Sequence, residues 1–222
     1  MQTRFRVAIL AGGEPPDPDF CRDQVARADR LICADGGYAV AMFLGLTPDA
    51  VVGDLDSLTL EQVAALERSR IPVRRLPVGK DASDLELAMQ LAHAWGARDL
   101  VVLGALGGRT DHLLFNLVAG LCYCRQAGMR TILASHDQEA FLVEPNHLIS
   151  QRQGWIASLL CLSDTCTGVD LKGFAFPLEG ETLTRASSRT LSNRILETEA
   201  TIALQEGLLL ALLVMPGPGA GG

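Results

Sequence analysis

The sequence predicts an α/β protein in which an N-terminal parallel-sheet domain is followed by a small C-terminal β-sandwich domain. Three observations lead there. Buried-strand patterns alternate with helix patterns as far as about residue 135, the signature of a parallel α/β sheet. Beyond that point the apolar segments become short and are separated by turn signals, as in a sandwich. Four apolar runs of the first part each end in an aspartate. The chain has 222 residues, 48% of them hydrophobic, enough for one large domain or two modest ones.

Val7 to Ala11 reads as a first buried strand ending at Gly12-Gly13, and Asp17 to Asp29 as a helix with Phe20, Val25 and Ala28 near one face. Leu31 to Ala34 is a second strand, closed by Asp35-Gly36-Gly37; Tyr38 to Leu44 is a helix stopped by Gly45. Pro48 breaks the chain before a third strand, Ala50 to Val52. Thr59 and Gln62 fit a capping box that opens a helix through Glu67. Ile71 to Val78 is a weaker strand. Ser83 and Glu86 fit a second capping box, opening a helix with Leu85, Ala88, Met89 and Ala92 inward. After the strand Leu100 to Leu103, Thr110 or Asp111 caps a helix running to Gly128, with Leu113, Leu117 and Leu121 along one stripe. Met129 to Ala134 ends this layer.

The second half reads as short strands: Ala140 to Val143, Trp155 to Cys161, Thr167 to Lys172, Thr198 to Leu204 and Leu208 to Val214. Pro145-Asn146, Gln153-Gly154, Glu179-Gly180 and Glu206-Gly207 are read as the turns between them. His136 and His147 are read as loop residues, and Trp95 and Trp155 as packing residues. The expected organisation is a catalytic α/β domain over residues 1–135, a sandwich over 136–215 and a disordered tail over 216–222.

Composition removes several classes of function. The net charge is −7, and no Lys/Arg stripe forms, which argues against nucleic acid as a partner. An acidic protein that handles anionic nucleotides needs local compensation, which a bound Mg²⁺ with Lys80 and Arg109 supplies. Cys21, Cys33, Cys122, Cys124, Cys161 and Cys166 form no Cys-x-x-Cys pair and no zinc spacing, so they are expected as reduced, mostly buried thiols of a cytoplasmic protein. Met1 to Leu10 lacks the long apolar core of a signal peptide, and Leu208 to Met215 is too short to span a bilayer.

The aspartates carry the chemistry. Ligands of an open parallel sheet bind outside the carboxyl ends of its strands, and that is where Asp35, Gly53-Asp54-Leu55-Asp56-Ser57, Lys80-Asp81-Ala82-Ser83-Asp84 and Thr110-Asp111-His112 are expected. Carboxylates gathered in one cleft raise one another's pKa unless a cation joins them. Oxygen ligands suit Mg²⁺, which is held by carboxylates and substrate phosphates together. Asp54 and Asp56, two residues apart in an extended segment, point the same way and can meet one metal. Gly104-Ala105-Leu106-Gly107-Gly108-Arg109 lets backbone N–H groups approach a phosphate, and Arg109 adds a fork suited to it. Each motif also has an ordinary reading as a turn or a helix start. Together they point to a metal–phosphate enzyme.

In order and spacing these motifs resemble the thiamine pyrophosphokinase (thiamine diphosphokinase) family. The resemblance rests on Asp35-Gly36-Gly37, Gly53-Asp54-Leu55-Asp56-Ser57, Asp81-x-Ser83-Asp84-Leu85-Glu86 and Gly104-x-x-Gly107-Gly108-Arg109-x-Asp111-His112, extending to Asn116, Thr167-Gly168 and Ser192-Asn193. It implies a Rossmann-like parallel-sheet catalytic domain, a C-terminal sandwich and a homodimer. The implied reaction is transfer of a pyrophosphoryl group from ATP to the thiamine hydroxyl, giving thiamine diphosphate and AMP. It also implies that Asp54, Asp56, Asp84 and Asp111 form the acidic catalytic site, with Mg²⁺ on Asp54, Asp56 and Asp84. Asp35, Gly36, Gly37, Lys80, Asp81, Gly107, Gly108, Arg109, His112 and Asn116 would line the nucleotide site. Ser192, Asn193 and Phe176 would meet thiamine, Phe176 by stacking on the cationic ring where relatives often carry Trp or Tyr.

The general base is either Asp84 or Asp111 on sequence grounds. Two other readings stay open beside this one: a pyrophosphokinase acting on another alcohol, such as a hydroxymethylpterin, and a non-catalytic sensor of thiamine diphosphate or a nucleotide. The complete acidic set weighs against the sensor.

Overall fold

The first strand, β1 (Arg6–Leu10), lies inside a parallel sheet ordered β6-β5-β1-β2-β3-β4. The other strands of this sheet are β2 (Arg30–Ala34), β3 (Ala50–Val52), β4 (Val73–Arg74), β5 (Asp99–Leu103) and β6 (Arg130–Ala134). The computed structural model describes residues 5–75 and 82–217. The chain divides into two units, Met1–His136 and Asp137–Gly222, and this sheet belongs to the first. Every pairing in it is parallel; Val7 lies opposite Arg30 of β2 and Leu100 of β5. The chain runs outward from β1 to β4 and then returns to β1's other side with β5. The strand order therefore reverses beside β1, which opens a crevice at the carboxyl ends. Val7 to Leu10 are wholly buried, as strands covered on both faces require.

Helix starts follow the capping chemistry of the sequence. Helix α1 (Pro18–Ala26) begins with Asp17 accepting from the Phe20 N–H at 2.8 Å, with Pro18 in the first position. Helix α2 (Gly37–Leu44) ends at Gly45, whose φ of 69° is the left-handed cap that glycine adopts without strain. Both halves of the Thr59–Gln62 box form at the start of α3 (Leu60–Arg68). At α4 (Asp84–Ala94) only the Ser83 half is made, and the Glu86 carboxylate instead accepts from Gln90. Leu85, Ala88, Met89 and Ala92 are buried as expected, joined by Leu91.

The expected long helix from Thr110 is three pieces: α5 (Thr110–Phe115), a wider π turn (Asn116–Gly120) and α6 (Leu121–Gln126). Arg109 sits at its cap position without a side-chain capping bond, so neither Thr110 nor Asp111 caps it. The π turn rotates the buried stripe and turns Asn116 and Gly120 inward, while Leu113 and Leu117 are only half-buried.

The second unit has two antiparallel sheets. One is ordered β12-β9-β14-β7 and the other β11-β10-β13-β8. The first contains β7 (Gln138–Leu142), β9 (Ile156–Cys161), β12 (Asn193–Arg194) and β14 (Leu209–Val214); the second contains β8 (His147–Ser150), β10 (Thr165–Lys172), β11 (Leu178–Thr184) and β13 (Glu199–Ala203). Alternate residues such as Ala157, Leu159 and Cys161 of β9 meet Val169, Leu171, Ala200 and Ile202 in a shared core. β8, β11 and β12 are absent from the sequence expectation. His147 is therefore not a loop residue: it opens β8 and stacks on Phe141 with ring centroids 4.3 Å apart. Gly180 is likewise not a turn between strands. It lies within β11 at φ 61°, opposite a register shift, and its N–H donates to Asp170 Oδ1 at 2.7 Å. Trp155 packs against the core just before β9, with the Arg152 guanidinium over its ring.

No helix among the described residues is long and apolar enough to cross a membrane. All six cysteines are thiols. Lys80, Asp81 and the last residues of the expected Ile71–Val78 strand lie outside the described residues, as do residues 218–222 of the expected tail.

Candidate active site

A cleft of about 640 Å³ opens at the carboxyl ends of β1, β2, β3 and β5. Its floor is main chain. Gly12 and Gly13 follow β1, Gly36 follows β2 and Gly104 follows β5, and these loops touch. A Cβ on Gly12 would lie 2.8 Å from the Gly36 Cα, and one on Gly104 would lie 2.7 Å from the Ala11 carbonyl oxygen. Gly37 is packed harder still, since a Cβ there would run into the Leu10 carbonyl. Asp35, Asp54, Asp84, Arg109, His112 and Asn116 line the walls. Gly12 and Gly13 are site residues that the sequence reading passed over as a strand end. The signal was present, because the same Gly-Gly pair follows β2.

One wall is acidic. Asp35, Asp54 and Asp56 each offer a carboxylate oxygen, and these atoms lie within 4.8 Å of one another. Asp35 reaches this place through a left-handed backbone, φ 44°, with its N–H donating to the Val52 carbonyl at 2.8 Å. Gly53, at φ 145°, packs against it: a Cβ there would lie 3.1 Å from that of Asp35. Asp54 and Asp56 converge, but not through an extended segment. The Asp56 N–H donates to Asp54 Oδ1 at 3.2 Å, and Leu55, at φ 68°, turns into the core. The charge of Asp54, then that of Asp35, pushes the Asp56 carboxyl above the usual range, with a smaller push from Asp84. Asp35 Oδ1 is buried with no hydrogen-bond partner. An orphaned carboxylate oxygen beside two further carboxylates fits a hard divalent cation with oxygen ligands. Asp84, the first residue of α4, lines the same cleft outside this trio.

The opposite wall is the loop Gly104 to Arg109. Gly107 and Gly108 take φ of 93° and 72°, backbone that side chains disfavour. Asn116, turned inward by the π turn, donates from Nδ2 to the Ala105 carbonyl at 3.1 Å and so fixes the loop. Arg109 and His112 lie at the rim. Asp111 is not brought to the acidic trio. Both of its oxygens are taken by Arg109, Nε at 3.1 Å and Nη2 at 2.6 Å, and Oδ1 also accepts from the His112 N–H at 3.0 Å. The Arg109 hydrogen bond, helped by that of His112, holds the Asp111 carboxyl down at about 2.

The C-terminal residues form a second cleft of about 340 Å³, within the second unit, lined by Phe176, Arg189, Leu191 and Asn193 among others. Phe176 is 72% exposed. Asn193 is buried, accepting from the Phe176 N–H at 3.0 Å and donating to the Phe176 carbonyl at 2.8 Å. Ser192 is exposed at φ 57°, its N–H bonded to Ser158 Oγ. Arg189 is paired with Glu181 through both guanidinium Nη atoms at 3.2 and 2.9 Å.

Residues 21–133 match the family described as the thiamin pyrophosphokinase catalytic domain, and residues 146–209 match its vitamin B1 binding domain. The chain belongs to the thiamin pyrophosphokinase family. A thiamine pyrophosphokinase from Bacillus subtilis (strain 168) is 24% identical over 211 residues, spanning 93% of this chain and 97% of the relative. The crystal structure of a Bacillus subtilis thiamine pyrophosphokinase has the same fold, with a TM-score of 0.86 at 24% identity over 96% of this chain and 100% of that one. The yeast thiamin pyrophosphokinase structure gives 0.78 at 14% identity, over 97% and 88%. The chain is thus an enzyme of the thiamine pyrophosphokinase type, and the comparisons lend no support to a pterin-directed enzyme or a sensor.

Proposed function

We propose that this chain transfers the pyrophosphoryl group of ATP to the hydroxyl of thiamine, giving thiamine diphosphate and AMP, in the cytoplasm and as a homodimer. The observation that carries the reading is the meeting of a carboxylate trio and a glycine-built phosphate loop in one cleft. Asp35, Asp54 and Asp56 hold Mg²⁺, with Asp84 on the adjoining wall. When bound, the ion neutralises phosphate charge that grows in the transition state.

The chain's own groups do the remaining work. The N–H groups around Gly107 and Gly108, with Arg109 at the rim, grip the polyphosphate, and Asn116 keeps that loop in place. Gly12, Gly13, Gly36 and Gly37 let the nucleotide approach the main chain, and His112 closes its side. Lys80 and Asp81 complete the nucleotide site. Asp84 accepts the proton of the attacking hydroxyl, because Asp111, held at about 2 by Arg109, is a weak acceptor. Asp111 acts instead by orienting Arg109.

Residues 136–215 bind thiamine and dimerise. Phe176 stacks on the cationic ring, Asn193 presents Phe176, and Ser192 contributes its hydroxyl. The exposure of Phe176, Leu191 and Leu196 supports a partner subunit covering this face. The thiol state of the cysteines supports the reducing compartment.

The test is incubation with ATP, Mg²⁺ and thiamine, with products resolved by mass spectrometry. Thiamine diphosphate and AMP in equal amounts are expected. Thiamine monophosphate with ADP would overturn the mechanism.

A further inference from the structure

The connection from β9 to β10, which passes from one sheet of this unit to the other, holds two thiols in contact. Cys161 ends β9 and Cys166 is the second residue of β10; both are buried, and their sulfurs lie 2.8 Å apart. A disulfide needs about 2.0 Å, so closing the pair takes a shift of under about 1 Å.

The fold holds the sulfurs in this position. A Cβ on Gly207 would lie 2.9 Å from both the Sγ and the Cα of Cys166, so a larger residue there would displace the sulfur. Ser163 Oγ lies 3.6 Å from Cys161 Sγ and 3.5 Å from Cys166 Sγ. Its one proton goes to the Thr165 carbonyl at 2.6 Å, and it accepts from the Leu208 N–H at 3.0 Å, so it faces the sulfurs as an acceptor. The Ser163 carbonyl oxygen is 3.2 Å from Cys161 Sγ, and that of Leu208 is 3.3 Å from Cys166 Sγ. Burial, with the neighbouring Cys161 thiol, pushes the Cys166 thiol up to about 11, against the smaller opposing effects of Ser163 and Leu208. At rest the Cys166 thiol is therefore protonated and slow to react.

We propose that Cys161 and Cys166 form a reversible oxidation site, a dithiol that closes to an intrachain disulfide on meeting a small-molecule disulfide such as glutathione disulfide. One cysteine loses its proton to solvent and its sulfur attacks the oxidant; the oxidant's S–S bond breaks and one small thiolate leaves. The second cysteine, deprotonated in turn, attacks the protein sulfur of that mixed disulfide and expels the other small thiolate. The pair gives up two electrons and two protons, and the oxidant becomes two thiols. Asp164 and Thr165 between the two cysteines are exposed, so the connection that carries the buried thiols lies at the surface. Because the thiolate attacks, closure quickens as pH rises towards the thiol pKa.

The full-length protein is incubated with glutathione disulfide at about pH 8.5, quenched with acid, unfolded in excess N-ethylmaleimide and weighed intact. Six cysteines are present, and the expected product carries four maleimide adducts, with a peptide map joining Cys161 to Cys166 and dithiothreitol restoring all six. Retention of six adducts, a stable glutathione adduct, or a bond between any other two cysteines overturns the proposal. So does an internal disulfide in Cys166→Ser, which is expected to form none.

Discussion

Both polar ends of the Asn193 carboxamide are engaged by the backbone of Phe176, Oδ1 at 3.0 Å from its N–H nitrogen and Nδ2 at 2.8 Å from its carbonyl oxygen. Asn193 is only 5% exposed, whereas the ring of the residue it holds stands in solvent. Asn193 is therefore a positioning residue, and its carboxamide has no end turned to a ligand.

Asn193→Ala breaks both bonds and lets the Phe176 loop relax. On the proposed function the thiamine KM should rise about tenfold, the free-energy equivalent of one lost net hydrogen bond, while the ATP KM holds. Steady-state kinetics with each substrate varied checks this, and an unchanged thiamine KM would remove the Phe176 loop from the substrate site.

Asp35→Asn keeps the shape of the trio and removes one charge. Turnover should fall by at least about 100-fold, since the charge that holds the ion is lost. In metal-free buffer the variant should melt no lower than wild type, because mutual repulsion is relieved. Added Mg²⁺ should raise the wild-type Tm and leave that of the variant nearly unmoved. A variant that responds to Mg²⁺ like wild type would exclude Asp35 as a ligand.

Asp111 should titrate near 2 in the folded protein, against 3.8 without its partners. The sign follows from linkage. The folded pKa is depressed, so the unfolded chain binds more protons between these values, and stability from the pair is present above about 4 and lost as pH falls towards about 2. The pair is exposed and the effect on stability small. Carboxyl-carbon NMR gives the direct reading: Arg109→Ala should return the Asp111 midpoint to the ordinary range. Equal midpoints in both proteins would show that Arg109 does not hold Asp111 in solution.

Gly37 and Gly45 bracket α2 and should respond differently to alanine. At Gly45 a Cβ meets nothing within 4 Å, so the cost is backbone strain at φ 69°, about 1–2 kcal/mol. At Gly37 it meets the Leu10 carbonyl, and the variant should lose more than about 3 kcal/mol or fail to accumulate. Denaturant unfolding ranks the two, and the reverse order would contradict the packing.

The homodimer reading has its own test. If each site draws on both protomers, mixing Asp54→Asn with Asn193→Ala and assaying at thiamine well below its KM, where Asn193→Ala keeps about a tenth of the activity, should regain about a quarter of wild-type activity, from one intact site in each mixed dimer. Mixtures no better than the mean of the two parents would place each site within one protomer.

The central strands were legible in the sequence because strands buried on both faces leave unbroken apolar runs, and their terminal aspartates fell where a parallel sheet puts its ligands. The edge elements were not. β8 contributes only Ile149 to the core, and β11 carries Glu179, Gly180 and Glu181, so neither shows a clean alternation. The family resemblance named Asn116, but the π turn hid its inward orientation, since an extra residue in one turn is invisible to a 3.6-residue period. Within the site, Asp54 and Asp56 were found through an incorrect local geometry, and Asp111 was separated from them by the arginine two residues before it. The place of Asp35 in the trio depends on a left-handed backbone and on Gly53 packing beneath it, tertiary facts that no local pattern encodes.

The glycine contacts among the loops after β1, β2 and β5 bear on how this enzyme can change. Main-chain atoms are the same in all residue types, so recognition at the cleft floor cannot be altered by exchanging one functional group for another. A substitution there acts by displacing a loop, and the interlocked loops carry that displacement to phosphate grip and carboxylate trio together. At this cleft, altered tolerance for a ligand, natural or engineered, is thereby directed away from the floor to side chains of the lining such as Ala82 and His112, which can be replaced one at a time.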